Sequence, residues 1–531
     1  VSLHAAADDA AIDALFARFD NTHSPGCAVA VLRDGAVTFQ HTYGMADLER
    51  HVAITPRTVF NTQSLSKEFV AFTTLTLVRD GKLALDDDVR RWIPELPDYG
   101  ATITVRHLLQ HTSGLRDDGI LAQDVGGQFE ETATREQLLD LVYRQKALNY
   151  PPGAAYSYTN SGYLLLPLLI ERIEKKPFAA VIRERLFEPA GMTSSRWRDD
   201  RTAVIDNRAL GYHHQDDGSY RLGANSHNGV FTTVEDLARW DHYLDRDAAA
   251  RAVFAQMTTP GVLPSGEVIE YGFGVEATKY RGLTADMHGG DAPDGTSMYA
   301  RFPDQRVGLA LLCNGHPSDF RATNLASKVA DIVLKDLLGA EDSNASTASL
   351  PLPAPHAVTP AELQRLAGSY FGEWGGPWVR TFAVRDGALK LVFDDKNVVD
   401  MIPLGDGRFR AATSDAVYAF ARDGRAVERV IPKQRTLSLE RVDPAGAPRL
   451  EDFAGVYANG EVDSTITVTA HDGKLWYARP RLPADALTPA FRDAFEDNGL
   501  VIRFTRDAGG RVTGLTTHWD RVWRLPFTRV R

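Results

Sequence analysis

Cysteine is almost absent, with two in 531 residues, Cys27 and Cys313. So few exclude a disulfide framework, and because each sits in an apolar run (CAVAVL and VGLALLC) both are expected to be buried, inert thiols. No stretch approaches the roughly 18 uninterrupted apolar residues of a membrane-spanning helix. A long basic run is also missing: 59 Lys and Arg face 70 Asp and Glu, a net charge of −11. Nucleic acid and anionic lipid are therefore not expected partners. Histidine-rich spots such as His213-His214 lack further ligands at zinc-like spacing, so a metal site is not supported; no organic cofactor is expected either. What is present is ordinary globular chemistry, 44% hydrophobic and 24% charged, which excludes a mainly disordered, collagenous or coiled-coil chain. The length calls for roughly three domains of about 150 residues each. Ala5-Ala6-Ala7 ahead of Asp8 has the small-residue character of a signal-peptide cleavage site, which raises a periplasmic or secreted location as an expectation, a cytoplasmic one being the alternative.

Residues 341–357 (EDSNASTASLPLPAPHA) have linker chemistry, Ser, Thr, Ala and Pro without strand or helix periodicity, and set the main boundary. Residues 1–340 alternate strand-like runs near both ends (27–32, 307–312) with helix-like stretches between (69–79, 135–143, 161–173). That is an α/β pattern whose first and last strands can pair. Beyond the linker, short alternating strands and the turns Asp386-Gly387, Asp423-Gly424 and Asp472-Gly473 indicate hairpins. Leu366–Tyr370 (LAGSY) recurs as Phe453–Tyr457 (FAGVY), Gly424-Arg425 as Gly510-Arg511, and Leu439–Val442 (LERV) as Phe527–Val530 (FTRV), at an offset of about 87 residues. Two copies of a small closed antiparallel barrel, lipocalin-like in plan, are expected over 358–445 and 446–531.

Ser64-Leu65-Ser66-Lys67 is an S-x-x-K motif at a helix start, a spacing that sets a hydroxyl and an amine on adjacent turns of one face. A serine there also lies beside unpaired backbone N–H groups able to stabilise an oxyanion. The plainer account is an N-cap serine and a solvated lysine. Tyr158-Thr159-Asn160 follows a Pro-Gly turn and precedes an apolar helix; a tyrosine near an ammonium is favoured as phenolate and can accept a serine proton, whereas a core tyrosine is the ordinary alternative. His288-Gly289-Gly290 and Asp291 precede a strand at 297–302, where two glycines let a substrate backbone approach and pair with the edge.

In that chain order the three motifs resemble the penicillin-recognising serine hydrolases: class C β-lactamases, DD-carboxypeptidases, family VIII esterases and D-aminopeptidases. Supporting stretches are His111–Leu115 (HTSGL), Leu186–Met192 (LFEPAGM) and Asn228-Gly229 ahead of Val234–Leu237 (VEDL). The resemblance covers about residues 10–335 and implies a β-lactamase/transpeptidase-like α/β domain over 1–340. By motif position it implies catalysis by Ser64, Lys67, Tyr158 and His288, with Asn160, Gly289, Gly290 and Asp291 binding substrate. Asn160 would orient Lys67, His288 would bond the Tyr158 oxygen or the substrate, and Ser64 and Asp291 would offer oxyanion N–H groups. Two appended barrels are similar in layout to the D-aminopeptidases of peptidase family S12, in which a loop from the last barrel reaches the active site; residues 479–498 are the expected counterpart.

His288 stands where β-lactamases carry the lysine of Lys-Thr-Gly, which weakens carboxylate binding. Asp291 and Asp294 could instead receive a cationic substrate terminus, and Arg301 either a carboxylate or an ion pair. The expected activity is hydrolysis of short peptides, amides or esters through an acyl-enzyme, with a D-residue at the substrate N-terminus. An esterase, a weak β-lactamase or DD-carboxypeptidase, and a non-turnover penicillin-binding sensor remain the alternatives, and a homo-oligomer is an open expectation.

Overall fold

The computed structural model describes residues 3–126, 132–200, 202–215, 217–223, 228–315, 320–339, 356–373, 377–393, 397–414, 416–430, 436–446 and 448–531. The linker expected at 341–357 lies outside these, apart from its last two residues.

The first unit is built on a six-stranded antiparallel sheet. Its spatial order is Glu276–Tyr280, Leu283–Ala292, Gly295–Phe302, Val307–Cys313, Cys27–Arg33, Ala36–Tyr43. The first strand of the chain thus pairs with the last of this unit. Both central strands are apolar along their length because helices cover both faces. Val29 and Val31 join Phe16 and Val329 in one buried cluster, while Ala28 and Ala30 face a second cluster with Phe69, Leu166 and Trp240. That alternation follows from the two-residue period of a strand.

The same pairing corrects the expectation of two inert thiols. Cys27 and Cys313 lie opposite one another and form a disulfide. Each is apolar and buried as read, but they are 286 residues apart in sequence, and only closure of the sheet brings them together.

Each half of the remaining chain is a closed eight-stranded barrel. In the first, Gly368–Gly372 pairs with Leu437–Val442 to close the cylinder; in the second, Gly455–Asn459 pairs with Leu525–Arg529. Asp386-Gly387 and Asp472-Gly473 make tight two-residue turns with both residues at positive φ. Asp423-Gly424 sits in a wider connection, with only the glycine left-handed. The interiors are filled, by Tyr370, Phe382 and Val427 in one barrel and Tyr457, Ile466 and Leu515 in the other.

The second barrel is packed onto the first unit. Leu121, Ala122 and Leu141 share one buried cluster with Ile466, Leu475 and Phe527. Arg116 and Glu461 form an ion pair at 2.9 Å with side chains only 3% and 7% exposed. Burying both charges is tolerable because other bonds surround them: Arg116 also donates to Gln145 Oε1 and the Trp523 carbonyl, and Glu461 accepts from the Lys146 N–H. Residues 479–498, expected as an irregular reaching loop, are instead mostly ladder: strands Asp485–Phe491 and Ala494–Asp497 form a hairpin of the barrel. The first residues of that stretch still touch the first unit, Arg479 donating to the Gln123 carbonyl and Pro480 packing against Gly126, but the segment that enters the cleft of that unit is 519–524, between the last two strands. Asn149 fixes it, donating to the Arg521 carbonyl (2.8 Å) and accepting from the Trp523 N–H (2.9 Å).

Candidate active site

Strand Phe60–Asn61 leads into Gln63, which is held at φ +51° with its N–H on Asn61 Oδ1. A 3₁₀ turn, Gln63–Leu65, then carries Ser64, and the α-helix starts at Ser66. No side chain caps that helix, so the N-cap account of Ser64 does not describe it. Ser64 Oγ instead accepts a hydrogen bond from Lys67 Nζ at 3.1 Å. Ser66, two residues on, is structural: its hydroxyl donates to Thr62 Oγ1 (2.9 Å) and accepts from the Val230 N–H (2.9 Å). Ser297 Oγ donates to the Thr62 carbonyl and draws the neighbouring strand against this turn. At Gly290 a Cβ would stand 2.3 Å from the Thr62 oxygen, so only glycine permits the approach; at Gly289 the nearest atom would be 3.2 Å away, a milder constraint.

Lys67 is 6% exposed, and its ammonium also donates to Asn160 Oδ1 at 2.8 Å. Asn160 opens its helix behind the Thr159 cap, with its N–H on Asp117 Oδ2 (2.7 Å). Tyr158, just before, places its ring 4.7 Å from Lys67 Nζ. Its hydroxyl is buried and, among the described residues, has no hydrogen-bond partner. Ser64, Lys67, Tyr158 and Asn160 therefore meet in one place, although they come from two helix starts nearly a hundred residues apart.

His288 lines the same cleft but not as expected. Its ring nitrogens are taken by the Gly289 carbonyl (Nδ1, 2.7 Å) and the Tyr271 hydroxyl (Nε2, 3.0 Å), not by the Tyr158 oxygen. Because a carbonyl can only accept, Nδ1 carries the proton and Tyr271 donates to Nε2. Burial, and then the Lys67 charge, push His288 down to about 3, so it is neutral at physiological pH. His111, fully buried against the Tyr158 ring at 4.2 Å, is held well below its usual range by the same two causes.

Strand Glu276–Tyr280 pairs with Leu283–Met287 only, leaving the outer edge of His288–Asp291 open toward Ser64. Asp291 lines the cleft, whereas Asp294 turns away, against Gly211 and Gly223, into a separate small pocket. Arg301 is engaged behind the sheet by Asp241 and Asp245 and is not a cleft residue. Tyr271, Glu276, Asp117, Asp118, Asp520 and Arg521 were not singled out in the sequence. Burial, and then Asp117, raise Asp118 to about 7, and Glu276 is raised by burial and then by Glu270. None of the six carries a motif; only an acidic pair ahead of a helix, Asp117-Asp118, offered a local cue.

The cleft measures about 680 Å³, the size range of small-molecule sites, and Asp520 and Arg521 of the second barrel form part of its wall. Among the described residues no group of three or more His, Cys, Asp or Glu is placed to hold a metal ion, and no helix is long and apolar enough to cross a membrane. The chain is 27% identical to the D-aminopeptidase of Gluconobacter oxydans over 479 residues, 88% of this chain and 85% of that protein. Among solved structures, the octameric penicillin-binding protein homologue from Pyrococcus abyssi is similar in fold, with a TM-score of 0.55 and 22% identity over 82% of this chain and 99% of that one. The D-amino acid amidase from Ochrobactrum anthropi SV3 is 26% identical with a TM-score of 0.50, covering 62% of this chain and all of that one. The Beta-lactamase family matches residues 12–334, well over half of the chain. On that match, and on the grouping of Ser64 with Lys67 in its cleft, the chain belongs to the Beta-lactamase family of penicillin-recognising serine hydrolases.

Proposed function

We propose that the protein is a D-aminopeptidase or D-amino-acid amidase, which acylates Ser64 with a short substrate bearing a free amine. The observation that carries the chemistry is Lys67 Nζ, shared between Ser64 Oγ at 3.1 Å and Asn160 Oδ1 at 2.8 Å under the Tyr158 ring. Ser64 Oγ attacks the substrate carbonyl, and its proton passes to the Lys67–Tyr158 pair. The backbone N–H groups of Ser64 and Asp291 receive the oxyanion. The same pair returns the proton to the departing amine, and water then releases the acid. Asn160 orients Lys67, and neutral His288 fixes Tyr271 against the Tyr158 ring. Gly289, which lines the cleft, lets the substrate lie along the open strand edge, whereas Gly290, expected to bind substrate, instead makes room for the Thr62 turn.

The substrate class is supported by the D-aminopeptidase and D-amino acid amidase names of the relatives and by the acids Asp291, Glu276 and Asp520 lining the cleft. These suit an ammonium and, without a Lys-Thr-Gly lysine, disfavour a carboxylate. A homo-oligomer belongs to the same proposal, supported by the octamer of the Pyrococcus abyssi homologue and checked by light scattering.

The test is a hydrolysis panel of D- and L-alanine p-nitroanilide, the N-acetylated D-substrate, a short-chain p-nitrophenyl ester and a chromogenic cephalosporin. The free-amine D-anilide is expected to lead, with acetylation costing about ten- to a hundredfold in kcat/KM. Ser64→Ala is expected to abolish turnover with the fold intact, and a serine-directed phosphonate to label Ser64. Equal rates on the acetylated substrate would replace this reading by the esterase one, faster cephalosporin cleavage by the lactamase one, and a single stoichiometric burst by a sensor.

A further inference from the structure

The Tyr158 ring carries a second cation besides Lys67. Arg521, on the loop between the last two strands of the second barrel, places its guanidinium carbon 5.0 Å from the ring centroid, against 4.7 Å for Lys67 Nζ. This placement is built. The Arg521 carbonyl accepts from the Asp117 N–H and from Asn149 Nδ2, and its side chain lies 3.3 Å from Asp520 and 4.0 Å from Asp117.

Of the other groups around Tyr158, the histidines and tyrosines are uncharged at neutral pH, and Asp118, in the same cleft, is raised to about 7 by burial and then by Asp117. His111 and His288 are both held neutral by burial. Tyr156, Tyr163 and Tyr271 are pushed above the ordinary phenol range, chiefly by burial. Asp117 bonds the Asn160 N–H and stands with Asp520 beside Arg521, whose charge they hold in place. Lys67 and Arg521 are thus the two cations over this ring, and they come from different domains.

Resting on the reading that Tyr158 carries the Ser64 proton, we propose that Arg521 is a positioning residue of the hydrolase reaction: its guanidinium over the Tyr158 ring favours the phenolate, so the second barrel sets the proton-accepting state of the active site. A cation over an aromatic face is attracted to the ring, and more strongly when the ring gains negative charge. Among the described residues its side chain is placed by the Tyr158 ring, Asp117 and Asp520, and its effect passes through Tyr158.

The experiment is a double-mutant cycle of Arg521→Met and Tyr158→Phe in the full chain, with Arg521→Lys and Arg521→Gln alongside. The readouts are kcat/KM on D-alanine p-nitroanilide and the rate of phosphonate labelling of Ser64, each from pH 5 to 10. Arg521→Met is expected to lower kcat/KM about tenfold at neutral pH and to move the low-pH limb up by about one unit, since removing a cation makes the base harder to deprotonate. Arg521→Lys should keep the limb within a few tenths of a unit, and Arg521→Gln repeats the charge loss should the methionine loosen the loop. In the Tyr158→Phe background, Arg521→Met should cost nothing further. Additive losses, an unmoved limb, or an effect confined to KM for substrates with a free carboxylate would overturn the proposal while leaving the Tyr158 mechanism standing. Wild-type rates in Tyr158→Phe alone would overturn the Tyr158 mechanism, and this proposal with it.

Discussion

The two barrels repeat one hydrogen-bonding scheme and use it differently. In the first, Tyr370 Oη donates to the Leu366 carbonyl (2.9 Å) and Arg441 reaches back to the Arg365 carbonyl (2.7 Å). In the second, Tyr457 Oη donates to the Phe453 carbonyl (2.6 Å) and Arg529 to the Asp452 carbonyl (3.1 Å). The repeated residues of the sequence are thus the latch that closes each cylinder. The surroundings differ. The first barrel's core cluster holds only its own residues, while the second's extends into the catalytic domain through Leu121, Ala122 and Leu141. Among the described residues, the cleft wall takes Asp520 and Arg521 from the second barrel and nothing from the first. Closure needs the latch in both copies, and docking needs residues in only one, so repetition preserved the former and let the latter diverge.

The largest test of that contrast is the buried ion pair. Glu461→Ala would leave Arg116 charged and uncompensated at the interface and should cost about 3 to 5 kcal/mol of stability, with activity falling alongside. By contrast, Arg425→Ala in the first barrel, which breaks an exposed 3.9 Å pair with Asp423, should leave the urea midpoint where it is. Similar losses in the two variants would break the comparison.

Asp124 gives a smaller, pH-dependent test. It lies in the docking interface, accepting from Trp519 Nε1 and Thr517 Oγ1, and burial raises it to about 6, more than Arg479 and these donors lower it. A carboxyl raised on folding contributes stability that is complete below its unfolded value near 3.8 and lost as the pH climbs through 6. Asp124→Asn should therefore match the wild type in urea unfolding at pH 4 and exceed it at pH 8, by on the order of 2 to 3 kcal/mol at most. A uniform destabilisation at both pH values would mean that the charged carboxylate supports the interface. A smaller loss is expected at the latches. Tyr370→Phe and Tyr457→Phe should each cost about 1 kcal/mol, with Tyr370→Phe leaving kcat/KM unchanged. Unequal costs would show that the latches are not equivalent.

Much of this was legible locally. The apolar runs at 27–32 and 307–312, the helix at 135–143 and the Asp-Gly turns follow from nearest-neighbour chemistry, and the structure places elements there. The three motifs also singled out Ser64, Lys67, Tyr158 and Asn160, because S-x-x-K and Y-x-N fix residues at helix starts whose geometry is local. His288 was found, but its partner was not. Tyr271 lies only 17 positions away, yet it precedes the hairpin strand Glu276–Tyr280 and meets the ring only because the chain folds back ahead of that strand, a path that strand periodicity does not encode. Asp294 was misplaced for a similar reason, since three residues beyond Asp291 the hairpin turn reverses the side it faces.

The sequence by itself determined the element types and the grouping of Ser64 with Lys67, which depend on residues within a few turns of one another, and the repeat, which is read by matching one short segment with another. Tertiary structure alone decided the Cys27–Cys313 bond, the partner of His288, and the choice of 519–524 over 479–498 as the segment that enters the cleft. The disulfide and the entering segment join residues far apart along the chain, and Tyr271 meets His288 only once the strand between them has folded; the free energy that selects these contacts comes from burying apolar surface and pairing buried polar groups across whole domains. No local pattern of residues carries that information.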